Sequence, residues 1–274
     1  MSTSRPLNFL ITGGARGIGR GLGRLLLQSG HRVILLDCNT EELTHTTLIL
    51  QNQFQKPKSK IDTIASIICD LRNPQEIKNA VQVVDENFKG HLDVLINNAA
   101  YTGGVGGVSI EDLTVEEWNA SIETNLTAPM LMSQACLPLL RKSSKRPEGG
   151  AIINMSSTRA HQSEANSEGY ATTKAGLIGL THSLAVSLAP MGITVNAVLP
   201  GWIHALNECK EANEKGTKWE EGLGDVDHGW HLSGRVGKVE DVARVVEYLA
   251  GARFVTGTEQ VVDGGVTRRM VYPE

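Results

Sequence analysis

Short apolar runs rich in Val, Ile and Leu alternate along the chain with longer segments in which apolar residues recur at helical spacing. The apolar runs predict strands over residues 7–11, 32–37, 63–70, 92–98, 150–156, 193–200 and 259–265. The longer segments predict helices over residues 17–29, 40–54, 74–88, 115–141, 168–189 and 239–250. Strands that are apolar throughout and are separated by helices are typical of a parallel sheet covered on both faces. We therefore expect an α/β fold, a doubly wound sheet of seven parallel strands with right-handed crossovers.

One stretch departs from this alternation. Residues 200–238 are polar, contain several glycines and show no clear period. Insertions of this length in a compact domain are usually lids or binding loops. Because the stretch follows the sixth predicted strand, it starts at the carboxyl edge of the sheet, where open α/β sheets bind ligands. We predict a substrate lid at about 200–238, within a single domain over residues 1–274, because no linker or repeat divides the chain.

Charge, apolar content and cysteine spacing indicate which classes of binding partner and which cell compartment to expect. The net charge of -4 is too small and too evenly spread to indicate a nucleic-acid or membrane surface. No run approaches the roughly 18 to 20 apolar residues needed to cross a bilayer, and the first apolar run is too short for a secretory signal. Cys38, Cys69, Cys136 and Cys209 form no C-x-x-C pair, which favours a reducing compartment. We expect a cytoplasmic protein with no nucleic-acid and no membrane partner.

The segment TGGARGIG, residues 12–19, joins the first predicted strand to the first predicted helix. Gly13 allows a tight turn, Gly17 lets the backbone approach a pyrophosphate, and Gly19 lets the helix pack closely on the strand. Glycines between a strand and a helix also serve packing alone. Their position here favours a dinucleotide site and therefore a Rossmann-like sheet with helices on both faces.

A carboxylate follows at the end of the second strand. Asp37 can accept hydrogen bonds from the ribose hydroxyls of NAD and would repel the 2′-phosphate of NADP. Arg16, inside the glycine segment, argues for NADP because a guanidinium can pair with that phosphate. We favour NAD, because the free-energy cost of placing an unpaired carboxylate against a phosphate exceeds the binding free energy that a flexible arginine contributes. NADP is the alternative. Asp70, at the end of the third strand, either borders the adenine or caps the next turn.

The segment SEGYATTKAG, residues 167–176, places Tyr170 one helical turn before Lys174. Pairs at this spacing also occur on ordinary surface helices. A phenol with a pKa near 10 is a poor base at neutral pH. An ammonium about 4 Å away supplies on the order of 4 kcal/mol, which moves that pKa to about 7. We therefore predict that Lys174 lowers the pKa of Tyr170, which exchanges a proton with an alcohol or carbonyl substrate.

With these features in order, the chain resembles the short-chain dehydrogenase/reductase family over about residues 7–265. The matching motifs are TGGARGIG (12–19), NNAA (97–100), ETNL around Asn125, NMSS (154–157), YATTK (170–174), VLPGWI (198–203), GRVGKVEDVA (234–243) and VDGG (262–265). The resemblance implies an NAD(P)-dependent alcohol dehydrogenase or carbonyl reductase. Its implied catalytic set is Asn125, Ser157, Tyr170 and Lys174; Ser157 is selected because it lies 13 residues before Tyr170. Its implied cofactor site is Gly13, Arg16, Gly17, Ile18, Gly19, Asp37, Asp70, Leu71, Asn97, Ala99, Tyr170, Lys174, Pro200, Gly201 and Ile203.

A proline interrupts the predicted helix over 115–141. Pro129 has no N–H, so it cannot donate the helical hydrogen bond to the carbonyl of Asn125. Either that carbonyl holds a water leading to Lys174, as the resemblance to the family's proton relay implies, or the kink only fits the helix to its neighbours.

Two groups of residues near the predicted site remain open to two interpretations. Arg159 and His161 follow Ser157; they either face the substrate, which would favour a carboxylate or polyhydroxylated substrate, or are solvated loop residues. The lid tryptophans are either an apolar substrate wall or surface packing: Trp202, Trp219 and Trp230. His228 and His231 lie three residues apart with no further ligand cluster nearby, so we expect no metal site.

Two of the predicted helices indicate that the chain assembles with further copies of itself. The helices at 115–141 and 168–189 carry more apolar positions than one sheet face can cover: Leu126, Met130, Leu131, Leu177, Leu180 and Leu184. By resemblance to the family, these helices pair with those of a second subunit, so we predict a homotetramer.

The alternatives to the alcohol dehydrogenase are an NADP-dependent ketoreductase, a non-catalytic dinucleotide-binding sensor and an isomerase or cyclase that uses the same pocket.

Overall fold

The computed structural model describes residues 5–54, 63–144 and 147–270. Within these ranges seven strands form one sheet in the order β3-β2-β1-β4-β5-β6-β7, and every neighbouring pair is parallel. The predicted α/β fold is confirmed. The predicted single domain over 1–274 extends beyond the described ranges at both ends and stays a prediction.

The strands are β1 (Asn8–Thr12), β2 (Arg32–Asp37), β3 (Ile64–Ile68), β4 (Val94–Asn97), β5 (Ala151–Met155), β6 (Thr194–Pro200) and β7 (Glu259–Val262). Several predicted runs are longer than the strands, because the runs included polar and glycine residues that belong to the following turn. Asp263, for example, accepts hydrogen bonds from the backbone N–H groups of Gly265 and Thr267 directly after β7. The strand order reverses between β1 and β4, which places a crevice at their carboxyl ends.

The helices are α1 (Gly17–Gln28), α2 (Thr40–Phe54), α3 (Pro74–Phe88), α4 (Val115–Ile122), α5 (Ala128–Leu140), α6 (Glu168–Leu188), α7 (Lys210–Lys215), α8 (Asp225–Gly229) and α9 (Val239–Gly251). Five of the predicted helices match α1, α2, α3, α6 and α9 to within one residue. Residues that mark the beginning of a helix in the sequence explain this agreement. The Asn73 side chain caps α3 by accepting from the Gln75 N–H, and Pro74 occupies the first helical position.

The helix predicted over 115–141 is interrupted. α4 ends at Ile122, and residues Glu123–Thr127 form a π turn before α5 begins. In this turn the N–H of Ala128 donates to the carbonyl of Glu123, five residues earlier. Pro129 has no N–H to donate to Asn125, so the regular α pattern cannot continue here. The prediction of one continuous helix is therefore wrong, and the break expected at Pro129 is confirmed.

The inner strands of the sheet are buried on both faces. Phe9 and Ile11 point to one side of β1, where they pack with Leu22 of α1 and Val246 of α9. Leu10 points to the other side and packs in the layer formed with α3 and α5. Strands buried on both faces need apolar residues at every position, which explains their continuous apolar runs.

The segment after β6 contains more regular structure than its composition predicts. A backbone bridge between Ile203 and Gly237 joins the two ends of the segment that we predict to be a lid. This segment carries the short helices α7 and α8, which the absence of a sequence period did not predict. Helices this short show too few turns for a periodic pattern to be visible. In the described part of the chain, no helix combines the length and the apolar character needed to span a membrane.

Candidate active site

A cleft of about 560 Å³ lies along the carboxyl ends of the strands. It extends from the residues that follow β2 and β3 to the residues that follow β5 and β6. The predicted site residues that line it are Gly13, Arg16, Ile18, Asp37, Asp70, Leu71, Ala99, Ser157, Tyr170, Lys174, Pro200 and Gly201. The fold therefore brings most of the predicted cofactor and catalytic residues to one place.

The glycine segment turns tightly after β1. Gly13 has a positive φ of 65°, a conformation that favours glycine. A β-carbon on Gly13 would lie 2.7 Å from the Cα of Ala99, and one on Gly19 would lie 2.1 Å from the carbonyl oxygen of Gly13. The Asn98 side chain holds the turn by donating to the carbonyls of Thr12 and Gly13 at 3.0 and 3.2 Å. The turn is thus closed against the residues that follow β4.

Helix α1 begins beside the cleft without a side-chain cap, and its first turn contains no acidic residue. Free N–H groups and the helix dipole favour an anion at such a helix start. Ile18, in this first turn, lines the cleft. The N–H of Gly17, by contrast, donates to the backbone carbonyl of Glu208 in the lid at 2.7 Å. The residues present fit the diphosphate of a dinucleotide, with Ile18 rather than Gly17 facing the cleft.

The carboxylate of Asp37 is fixed at the edge of the cleft by two backbone groups. Its oxygens accept from the N–H of Ala15 and the N–H of Asn39, both at 3.0 Å. Arg16, the neighbour of Ala15, also lines the cleft and is exposed. The two groups that favour different cofactors therefore lie at the same end of the cleft.

Asp70 fits both of the interpretations that the sequence left open. It lines the cleft, and its carboxylate also accepts from the Arg72 backbone N–H at 3.0 Å. The Arg72 guanidinium donates to both carboxylate oxygens, with a shortest distance of 2.6 Å. The hydrogen bond from Arg72 lowers the pKa of Asp70, so the carboxylate remains charged while it caps the turn.

Four predicted cofactor residues do not line the cleft: Gly17, Gly19, Asn97 and Ile203. The two glycines act through the shape of the turn. Asn97 is buried, and its side chain donates to Asn154 Oδ1 at 2.9 Å, which ties β4 to β5. Ile203 packs against the core at the base of the lid. The residue after Asn97, Asn98, lines the cleft instead, because the chain leaves the sheet at that point.

Asn125 is fully buried behind the cleft. Its Oδ1 accepts from the backbone N–H of Tyr101 at 2.6 Å, and its Nδ2 donates to the carbonyl of Tyr101 at 3.1 Å and to the hydroxyl of Thr173 at 3.2 Å. Tyr101 lines the cleft, and Thr173 precedes Lys174 on α6. Asn125 therefore joins two segments of the site without lining the cleft itself.

Ser157 and Tyr170 meet at the end of the cleft beyond β5. Ser157 Oγ accepts from the Arg159 backbone N–H at 3.1 Å, so its own hydrogen can be donated to the Tyr170 oxygen or to a substrate. Burial raises the pKa of Tyr170, while a hydrogen bond with the Ser157 hydroxyl and the charge of Arg159 act in the opposite direction. The phenol is therefore protonated at neutral pH in this structure.

Lys174 is buried, and its Nζ donates to the carbonyl oxygen of Met155 at 2.8 Å. The same nitrogen lies 5.3 Å from the centre of the Tyr170 ring. Burial lowers the pKa of Lys174 to about 8. The prediction that Lys174 lowers the pKa of Tyr170 towards 7 is wrong for this structure, because the ammonium is bonded to the Met155 carbonyl and burial dominates at the phenol.

The sequence missed several residues that line the cleft, among them Cys38, Arg72, Asn98, Tyr101 and Thr102. They lie in the loops that follow β2, β3 and β4, where no hydrophobic period marks which side chain faces inwards. Their position directly after a parallel strand is the signal that could have found them. Arg159, for which the sequence left two interpretations, also lines the cleft.

Two of the three lid tryptophans, Trp202 and Trp219, contact histidines of the same segment. Trp219 donates to the carbonyl of His204 at 3.0 Å, and the Lys238 ammonium lies 3.9 Å from its ring centre. The ring of Trp202 lies 6.2 Å from that of His231. Across the described ranges, none of the three lid tryptophans lines the cleft, and no group of three or more His, Cys, Asp or Glu side chains is placed to hold a metal ion.

Comparison with known proteins gives matches over nearly the whole chain. Residues 13–267 match a family model described as enoyl-(acyl carrier protein) reductase. The chain is 37% identical to an uncharacterized oxidoreductase of Thermotoga maritima, over 97% of each. It is 32% identical to a cyclohexanol dehydrogenase of Acinetobacter sp., over 95% of this chain and 94% of that protein. A short-chain dehydrogenase structure from Burkholderia cenocepacia, in complex with NADP, is similar with a TM-score of 0.77 and 30% identity, over 95% of this chain and 98% of that one.

Proposed function

The chain belongs to the short-chain dehydrogenase/reductase family and is a nicotinamide-dependent oxidoreductase, and we propose that it interconverts an alcohol and the corresponding ketone with NAD as its cofactor. The observation that carries this proposal is the placement of Ser157, Tyr170 and Lys174 along the same cleft as Asp37. When bound, the nicotinamide supplies or accepts the hydride. The residues of the chain supply binding, orientation and the proton.

Tyr170 is the proposed proton donor and acceptor. Because burial raises its pKa, the phenol holds its proton at neutral pH and can give it to a carbonyl oxygen. The Ser157 hydroxyl, whose oxygen already accepts from Arg159, can donate its hydrogen to the same substrate oxygen. A protonated phenol can donate its proton in carbonyl reduction. Alcohol oxidation needs a deprotonated base, so its rate is expected to rise with pH.

Lys174 and Asn125 are proposed to act behind Tyr170. With a pKa of about 8, Lys174 carries its proton through most of the neutral range. Pro129 leaves the backbone carbonyl of Asn125 without its regular helical donor, so that carbonyl can accept from a water molecule. We propose that such a water connects Asn125 to Lys174 and returns protons to Tyr170. The hydrogen bonds of the Asn125 side chain to Tyr101 and Thr173 support this by fixing the surrounding backbone.

The preference for NAD is supported by Asp37. A carboxylate fixed by two backbone N–H groups at the end of β2 can accept from both ribose hydroxyls and repels a 2′-phosphate. Arg16 and the NADP complex of the Burkholderia cenocepacia relative support the alternative, an NADP-dependent ketoreductase in which Arg16 pairs with that phosphate. The remaining cofactor contacts are proposed for Gly13, Ile18, Asp70, Leu71, Ala99, Pro200 and Gly201.

Turnover assays test the proposed function. NADH and NADPH are each offered with a panel of ketones and aldehydes, and NAD and NADP with the corresponding alcohols. We expect NADH-dependent reduction that falls by about a thousandfold in Tyr170→Phe, since a positioned acid contributes about 10² to 10⁴ in rate. Binding of NADH to Tyr170→Phe, followed by calorimetry, should stay within twofold of wild type. A protein that binds NADH but converts no carbonyl compound or alcohol contradicts the proposal and supports a dinucleotide-binding sensor.

We further propose a cytoplasmic homotetramer. Exposed apolar side chains on α5 and α6 support the assembly, since Met130 is 38% and Val186 is 77% exposed. Val261 on the edge strand β7 and Phe254 before it are also exposed. Leu177, which the sequence assigned to the subunit contact, is instead buried within the chain.

A further inference from the structure

The charged residues that line the cleft are unevenly distributed. Its carboxylates, Asp37 and Asp70, both lie at the end formed by β2 and β3, beside Arg16 and Arg72. At the opposite end, beyond β5, the charged residues lining the described cleft are Arg159 and Lys174. Among the described residues, no carboxylate lines the end that holds Ser157 and Tyr170, since Glu164, which pairs with Arg159, is outside the cleft lining.

Arg159 is held in position rather than left free. It lies in the short 3₁₀ turn Thr158–Ala160, and its backbone N–H is bonded to Ser157 Oγ. Its Nε and Nη2 donate to one oxygen of Glu164, at 2.9 and 2.5 Å. Two bonds on one edge of the guanidinium fix its plane, while Nη1 makes no hydrogen bond within the described part of the chain. The unbonded edge is left for a further acceptor.

The position of Arg159 relative to the reacting group adds a second observation. The positive charge of Arg159 acts on the phenol of Tyr170 and lowers its pKa against the effect of burial. The guanidinium is therefore electrostatically close to the proton that the reaction moves. Its partner Glu164 does not line the cleft. A surface ion pair with no further role does not require the arginine to line the cleft beside Ser157 and Tyr170.

We propose that the substrate of this enzyme carries a carboxylate close to the reacting carbon, as a short hydroxy acid or oxo acid does, and that Arg159 binds this carboxylate. The proposal rests on the proposed function, because it assigns the substrate class of the same cleft. A guanidinium is suited to a carboxylate, since its parallel N–H groups match the two oxygens. Glu164 bonds Nε and Nη2 of Arg159, so less of the guanidinium's freedom has to be lost when the substrate binds.

The test compares acids with their uncharged esters. Short 2-hydroxy and 3-hydroxy acids, including 3-hydroxybutyrate, are each assayed beside the methyl ester, with wild type, Arg159→Gln and Glu164→Gln. For at least one acid, wild type should show a kcat/KM at least tenfold above that for its ester. Arg159→Gln should lower kcat/KM for that acid at least tenfold more than for the ester, because the lost charge beside Tyr170 affects both substrates alike and only the acid loses a partner for its carboxylate. Glu164→Gln, the matched control, should keep the preference for the acid because Arg159 retains its charge.

Esters converted as well as their acids by wild type, or an equal loss for both in Arg159→Gln, would overturn the proposal. Calorimetric binding of the same acids and esters separates this outcome from failure of the proposed function, because binding requires no turnover. An acid that binds wild type at least tenfold more tightly than Arg159→Gln, without turnover, supports the carboxylate site and contradicts the oxidoreductase chemistry proposed for it. Turnover of neutral alcohols with no acid preference in binding or rate supports that chemistry and rejects the role of Arg159.

Discussion

The backbone N–H of Gly17, at the start of α1, donates to the backbone carbonyl of Glu208 in the lid at 2.7 Å. The Glu208 side chain reinforces this contact from a buried position, with its carboxylate 2.6 Å from Arg24 Nη2 and 3.5 Å from Arg20 Nε. Arg20 is itself buried, and burial lowers its pKa. The lid is thus fastened to the helix whose start we assign to the cofactor diphosphate.

Glu208→Gln is expected to destabilise the protein by about 3 kcal/mol, because removing one partner of a buried ion pair leaves uncompensated charge. The matched control is Glu240→Gln, since Glu240 also pairs with Arg24, at 3.2 Å, but is 43% exposed. An exposed pair contributes about 0 to 1 kcal/mol. Urea unfolding of the three proteins gives the comparison. Equal losses of unfolding free energy in the two variants would show that the contact between Glu208 and α1 contributes no more than an exposed ion pair.

Gly19→Ala is expected to destabilise the protein by about 3 kcal/mol and to weaken NADH binding. The added β-carbon would lie 2.1 Å from the Gly13 carbonyl oxygen, so the turn or the helix must shift. Gly251→Ala, at the last residue of α9, is the control, because a β-carbon there meets nothing within 4 Å and the change should not lower stability. Thermal unfolding and calorimetric NADH titration measure both effects. A Gly19→Ala protein as stable as wild type would contradict the close packing of the turn.

The fold could be predicted because its signals are local. Strands buried on both faces give uninterrupted apolar runs, and helix starts such as that of α3 carry their own capping residues. The two errors arise where local signals compete or are too short. The helical pattern continues through 115–141 although Pro129 forces a π turn, and α7 is too brief to show a period.

The residues that lie at the site could be predicted, but the contacts that their side chains make could not. The order of strands brings the residues after β1 to β6 to one edge, and most of the predicted residues line the cleft there. Sequence spacing could not show that Asn97 points between strands while Asn98 faces the cleft. Nor could it show that Lys174 is directed to the Met155 carbonyl. These depend on where the chain leaves the sheet and how deeply the side chains are buried.

Asp37→Ala is expected to lower the preference for NAD over NADP at least tenfold, or by about 1.4 kcal/mol, because it removes the acceptor for the ribose hydroxyls and the repulsion of a 2′-phosphate. The ratio of kcat/KM for NADH and NADPH measures this change. Asp37→Asn separates charge from packing, since its amide oxygen can still accept from the Ala15 N–H. A wild-type protein that already uses NADPH better than NADH would reject the assignment and favour Arg16.

The assembly prediction is a particle of four chains of 29.5 kDa each in light scattering at micromolar concentration. Aspartate at an apolar subunit contact must be desolvated without a partner. We therefore expect Val186→Asp combined with Phe254→Asp to reduce the mass to that of a dimer or monomer. Leu48→Asp is the control, because Leu48 is similarly exposed on α2, away from the predicted contacts. A monomeric wild type would contradict the assembly prediction.

Lys174 is expected to make the stability of the cofactor-free protein rise between pH 8 and 10.5. Burial lowers its pKa in the folded state to about 8, while the unfolded chain keeps the ordinary value of 10.5. Between these values the unfolded state binds more protons, so the free energy of unfolding increases with pH; below 8 and above 10.5 this contribution is flat. At about 1.4 kcal/mol per pKa unit, the stability of wild type relative to Lys174→Met should rise by about 3 kcal/mol across the window.

Urea unfolding of both proteins from pH 7 to 11 measures this difference, and most other titrations cancel between them. Tyr170→Phe provides a control of opposite sign. Burial raises the pKa of Tyr170 above its ordinary value of 10, so the stability that the buried neutral phenol contributes is present below pH 10 and is lost as the pH rises through the folded value. The wild-type difference from Tyr170→Phe should therefore fall above pH 10 while that from Lys174→Met rises below it. A flat difference for Lys174→Met would contradict the lowered pKa that burial gives the Lys174 ammonium.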